Sequence, residues 1–117
     1  MLIYIYVVFI NEGLLLLLGV SATLHWEGVQ LIYEPIYQGS LYHRLHIMGS
    51  PIPLLKRLQI LQQICDAVLF LHSKQLLHCS LTSHAVHLIS SGRAKLGCLE
   101  TLSENDPSSR KYITYLQ

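Results

Sequence analysis

The chain has 117 residues, enough for one domain or for part of one. Its formal net charge is +1 and its pI about 7.8, so no polybasic surface points to nucleic acid or to anionic lipid. Hydrophobic residues make up 51% and charged residues 13%, against roughly 25% charged in an average soluble domain, which suits a slice of a larger fold whose outer elements lie elsewhere. Three cysteines, Cys65, Cys79 and Cys98, are too scattered for a disulfide framework. Reduced thiols in a cytoplasmic setting are expected.

Met1 to Ile10 is an unbroken apolar run, Asn11-Glu12-Gly13 interrupts it, and Leu14 to Val20 is apolar again. Neither run reaches the ~18–20 apolar residues of a membrane span. A signal peptide would begin with a positive segment, whereas the first Lys or Arg is Arg44. Two short strands around a turn are expected instead, since Tyr4, Tyr6, Val7, Val8 and Phe9 favour strands. Residues 1–13 are therefore set apart as an apolar leading segment, ahead of a body at 14–100 and a polar tail at 101–117.

Leu14 to Thr23 reads as a strand, with a connection through His25-Trp26-Glu27-Gly28 to a second strand at Val29 to Tyr33. Gln38-Gly39-Ser40 then breaks the chain, and Ser40 is placed to cap a short helix through His46. After the breaker Gly49-Ser50-Pro51-Ile52-Pro53, the pattern predicts a long helix over Leu54 to His72. Its expected buried stripe is Leu54, Leu58, Leu61, Ile64, Val68 and Leu71, with Lys56, Arg57, Gln59, Gln63 and Asp66 mostly off it. Val86 to Ser90 and Ala94 to Leu96 form a strand pair around Ser91-Gly92-Arg93. From Thr101 onward the chain is polar and is expected to be loose. Ser103, Ser108, Ser109, Tyr112, Thr114 and Tyr115 in that tail are acceptors for phosphate, near Arg110-Lys111.

The stretch His78-Cys79-Ser80-Leu81-Thr82-Ser83-His84-Ala85-Val86-His87-Leu88 has the layout H-R-D-L-x-x-x-N of a protein-kinase catalytic loop, in which the Asp takes the substrate hydroxyl proton and the Asn holds magnesium. His78 is kept, but Cys79, Ser80 and Ala85 occupy the Arg, Asp and Asn positions. Cys98-Leu99-Glu100 stands where D-F-G belongs. Serine is no carboxylate base, and neither alanine nor a neutral thiol supplies oxygen to a hard magnesium ion.

The ordered series Leu17-Leu18-Gly19-Val20, Leu31-Ile32-Tyr33-Glu34-Pro35, Gly39-Ser40-Leu41 and Phe70-Leu71-His72, ending in this loop, resembles the protein kinase family from about Leu14 to Glu100. The resemblance implies an α+β fold: the end of the small lobe, the hinge, the first helices and the catalytic-loop region of the large lobe. Ser80-Leu81, Ser83, Ala85-Val86-His87, Ile89-Ser90, Gly92, Ala94 and above all Leu99-Glu100 are similar to the family of testis-expressed protein fourteen, inactive kinases of germ-cell intercellular bridges. That resemblance implies a protein-interaction scaffold in the cytoplasm, without catalytic residues, acting on other proteins through a kinase-like surface. The ankyrin repeats and long tail of that family are not in the chain, and no Lys or G-x-G-x-x-G precedes Leu14.

By the same resemblance, Glu34 and Ile36 would offer hinge groups to the adenine of ATP, with Tyr33 guarding the pocket and His87 where an apolar side chain usually lies under the base. The plainer reading makes Tyr33 and Ile36 packing residues, because nucleotide sites need an enclosed pocket. A nucleotide-binding regulator, and a truncated product with a hydrophobic anchor, stand as alternatives. Zinc is not expected: His84-x-x-His87 gives one ligand pair, but His78, Cys79 and Cys98 give no second pair of matching spacing. A hydrolase pair of Ser80 with His78 or His84 lacks the nucleophile-elbow glycines and an orienting acid.

Overall fold

A computed structural model describes residues 11–21, 28 and 30–104. The apolar run at 1–10, the His25-Trp26-Glu27 connection and the tail beyond Glu104 lie outside the described residues. Strands β1 (Leu17–Ser21) and β2 (Gln30–Tyr33) pair antiparallel, with a register shift between Leu17 and Gly19. The Glu34 amide prolongs this ladder to the Leu16 carbonyl at 2.8 Å. The expected strand beginning at Leu14 is thus divided. Leu14 and Leu15 join a different element, with Leu15 N–H donating to the Leu96 carbonyl at 2.9 Å and Leu96 N–H to the Gly13 carbonyl at 2.8 Å.

Ser40 caps the next turn as anticipated. Its Oγ accepts from the His43 amide at 3.1 Å, and a short π-helical segment follows at His43–Ile47. Pro53 then opens the long helix α1 (Leu54–Ser73), where its missing N–H and fixed φ are tolerated. Beyond α1, the short strand β3 (Leu76–Leu77) leads to the loop that carries His78. The hairpin β4 (Val86–Ser90) and β5 (Arg93–Leu96) follows, turned at Gly92 with φ +77°. A 3₁₀ turn at Leu99–Thr101 and β6 (Ser103–Glu104) complete the described chain. β6 pairs with β3 through Leu77–Ser103 and Leu76–Glu104, so residues 101–104 are ordered, contrary to the expected loose start of the tail.

The core lies between one face of α1 and the inner face of the β4–β5 hairpin. Ile60, Ile64, Ala67 and Leu71 of the helix meet Val86, Leu88, Ala94 and Leu96, joined by Leu14, Leu76 and Leu99. Gly13 runs so close beneath the helix that a Cβ there would sit 2.9 Å from that of Ala67. The inward stripe is therefore Ile60-Ile64-Ala67-Leu71, at steps of four, three and four. This corrects the expected stripe: Ile64 and Leu71 are buried and Val68 partly so, but Leu54, Leu58 and Leu61 are 70%, 54% and 59% exposed. Apolar residues stand on several sides of α1, so periodicity alone did not select the buried one.

Polar residues of α1 fix the hairpin's tip. Gln63 donates to the Gly92 carbonyl at 2.6 Å and accepts from the Ala94 amide at 2.8 Å, and Lys56 donates to the Ser91 hydroxyl. One amide side chain thus satisfies two backbone groups next to the turn. Gln63→Leu removes both bonds and is expected to destabilise the chain by about 1–3 kcal/mol. Gln62→Leu on the exposed side should stay within about 0.5 kcal/mol, and denaturant midpoints of the two variants check the difference.

Candidate functional site

His78 is buried, and both of its ring nitrogens are engaged. Nδ1 accepts from the Ser80 amide at 3.2 Å, which leaves the ring proton on Nε2, and Nε2 donates to the Gly97 carbonyl at 2.6 Å. The Thr101 hydroxyl lies 2.7 Å from the His78 carbonyl and 2.8 Å from that of Cys98. One histidine thus closes its own loop and ties it to the segment at 97–101. Gly97 adds a further link, its amide donating to the Ala85 carbonyl at 2.7 Å.

The backbone of these two segments is held in a strained form. Cys79 and Cys98 have φ of 67° and 55°, in the left-handed region that costs a residue with a Cβ about 1–2 kcal/mol. Such outliers persist only where their surroundings over-determine them, and here His78, Gly97 and Thr101 do so. Within this frame Ser80 is half-buried, Cys79 and Glu100 are exposed, and Ala85 and Leu99 are buried. The residues singled out in the sequence are therefore brought together, but as an architectural unit. Burial, reinforced by the charge of Glu100, pushes the Cys98 thiol up and keeps it neutral. Ser80, Ala85 and Cys98 bring a hydroxyl, a methyl and a protonated thiol to these three positions, and none of the three is a carboxylate; the carboxylate close by is that of Glu100, which is exposed.

The hinge residues are arranged differently. Tyr33 packs on the core, and its hydroxyl has no hydrogen-bond partner among the described residues. Burial, then the neighbouring Glu100 and Cys98, raise its phenol above the ordinary value. Ile36 is exposed. Glu34 commits its amide to Leu16 and its carboxylate both to the Leu16 amide and to Lys95, each at 2.8 Å. Burial works against the charge of Glu34, but the bonds from Lys95 and Leu16 and the charges of Lys95 and Arg93 outweigh it and lower the carboxyl. This ion pair bridges the hinge to β5 across 61 positions, and nothing in the sequence signalled it.

His84 and His87 serve separate purposes. His84 stacks on Tyr42 with ring centroids 3.9 Å apart. His87 bridges to Ser40 and pairs with Lys95 across the hairpin, and its ring lies against Gly97, where a Cβ would stand 2.5 Å from Nε2. Burial lowers the His87 pKa, with Glu100 opposing in part. Among the described residues no group of three or more His, Cys, Asp or Glu could hold a metal ion. No described helix is long and apolar enough to cross a membrane.

A strand pair leading through a hinge to a long helix, a His-anchored loop and a turn clipped to it define a protein-kinase fold. The chain belongs to the protein tyrosine and serine/threonine kinase family, which it matches over residues 6–111. It is similar to the inactive serine/threonine-protein kinase TEX14 of Mus musculus, 40% identical over 101 residues, covering 84% of this chain and 7% of that protein. The Bos taurus protein of the same description is 36% identical over 98 residues, covering 81% of this chain and 7% of the relative. A serine/threonine-protein kinase-like protein of Arabidopsis thaliana is 37% identical over 73 residues, covering 62% of this chain and 21% of its own length. The chain thus spans about 7% of the length of the two inactive kinases.

The two groups shifted downward, His87 and Glu34, give the protein an acid-labile stability. His87 is held below its ordinary 6.5, so the neutral form belongs to the fold, and its contribution is complete above pH 6.5 and lost as the pH falls. Glu34 is held below its ordinary 4.5, so its contribution is complete above that pH and lost as the pH falls through the lower native value. Denaturant unfolding as a function of pH should show both limbs. In His87→Leu the upper limb should flatten and the lower one remain.

Proposed function

We propose that the chain is a kinase-like module without phosphotransfer activity, working in the cytoplasm as an interaction scaffold for other proteins. One observation carries this reading. The positions of the base and of both metal ligands hold Ser80, Ala85 and Cys98, while the hydrogen bonds of His78 that shape the loop are kept. Phosphoryl transfer depends on positioning and charge neutralisation, so losing the base and both magnesium ligands removes the mechanism. The strained backbone at Cys79 and Cys98 holds the loop as a fixed shape without that mechanism. Two relatives described as inactive kinases support the same reading. The resemblance to inactive kinases of germ-cell intercellular bridges suggests that setting for the scaffold.

A regulator that binds ATP without transferring phosphate has less support. The amide and carboxylate of Glu34 are both engaged inside the protein, and His87 replaces the apolar contact expected beneath adenine. With magnesium and radiolabelled ATP, no phosphate should reach a generic protein substrate or the chain itself. Millimolar ATP, with or without magnesium, should leave the thermal midpoint unchanged. A rise in the midpoint would favour the nucleotide-binding reading, and transfer that Ser80→Ala abolishes would overturn the proposal altogether.

A further inference from the structure

A second feature lies away from the degenerate loop, in the segment that follows the hinge. It is an open cavity of about 590 Å³, lined by the segment after the hinge, the start of α1 and the tip of the β4–β5 hairpin. Its floor is apolar, built from Ile52, Ile60 and Leu88, all buried, with Met48 beside them. Its walls carry two basic side chains, Arg44 and Lys56, next to His43. Among the described residues no Asp or Glu lines it.

Neither cation is neutralised by a described carboxylate in the cavity. The Lys56 ammonium donates to a neutral acceptor, the Ser91 hydroxyl. The Nε of Arg44 is buried and has no hydrogen-bond partner among the described residues. A buried guanidinium N–H without an acceptor costs free energy that an incoming anion would recover, and the planar fork of arginine suits a carboxylate. A bare inorganic anion would leave the apolar floor unfilled, whereas a peptide that sets a carboxylate beside an aliphatic side chain satisfies both surfaces. Tyr37, 80% exposed at the mouth, offers a rigid aromatic contact of the kind favoured at protein interfaces.

We propose that this cavity is a docking site for an acidic, aliphatic peptide segment of a partner protein, with Arg44 and Lys56 taking its carboxylates and Ile52, Ile60 and Leu88 its apolar side chains. The proposal rests on the interaction reading above and gives that reading a location and a ligand chemistry. It is tested on the purified chain by fluorescence polarisation with a short labelled peptide alternating Glu and Leu. Control peptides replace Glu by Lys, or Leu by Ser. The Glu/Leu peptide should bind saturably and both controls should bind at least about tenfold more weakly. Arg44→Glu and Lys56→Glu should each weaken binding by a similar factor, with circular dichroism confirming that each variant stays folded. Equal binding of the Lys/Leu peptide would reduce the effect to apolar adhesion and overturn the proposal. Equal binding of the Glu/Ser peptide, with displacement by inorganic phosphate, would make the cavity a simple anion site and overturn it as well. Failure of all three peptides while partner proteins still bind the chain would exclude this cavity and leave the scaffold reading standing.

Discussion

The hydrogen bonds of a single buried side chain, His78, organise the loop at 78–85 and the segment at 97–101. Its imidazole takes the Ser80 amide on one nitrogen and gives its proton to the Gly97 carbonyl on the other, while Thr101 reaches its backbone carbonyl. Buried polar groups that are fully paired specify one arrangement, and half-paired ones are costly. The left-handed conformations of Cys79 and Cys98 are sustainable because these bonds fix the chain on either side of them. The pairing of β3 with β6 extends the same clip.

Around that clip, chemistry and form are separable. Ser80, Ala85 and Cys98 carry no charge of their own in this loop, and the backbone is held by His78, Gly97 and Thr101 without them. The electrostatics also serve structure: Glu34 pairs with Lys95 and with the Leu16 amide. The helix face bearing Leu54, Leu58, Leu61 and Leu69, and the outer side of the β1–β2 pair with Leu18 and Ile32, remain open to solvent. Apolar side chains left open in this way are surface that a neighbouring element of a larger fold would cover. It accords with a chain that covers about 7% of its inactive relatives.

Much of this was legible in the sequence, for identifiable reasons. The loop was readable because a motif of fixed spacing survives the loss of its chemistry: His78, Leu81 and the strand after Ala85 keep their places. Ser40 announced its capped turn, Ser91-Gly92 its hairpin, and the Pro53 boundary the start of α1. The buried stripe of α1 was misplaced because Leu54, Leu58 and Leu61 carry the same hydrophobic signal as Ile60 and Ile64, and only the position of the hairpin decides between them. Gln63 was placed off the buried stripe, since nothing local reveals that two backbone groups of a distant turn await it. The β3–β6 pair is two residues long on each side, below what alternation can reveal. The Glu34–Lys95 bridge and the cavity near Arg44 depend on tertiary placement alone.

His78 holds the architecture of the loop, and the Ser80 side chain does not. The unfolding free energies of His78→Ala and Ser80→Ala, measured side by side in denaturant, test this most directly. The account predicts a loss of about 2–4 kcal/mol for His78→Ala, which strands the Gly97 carbonyl and the Ser80 amide. It predicts a change within about 0.5 kcal/mol for Ser80→Ala, whose hydroxyl takes no part in closing the loop. Equal losses, or a larger one at Ser80, would contradict it.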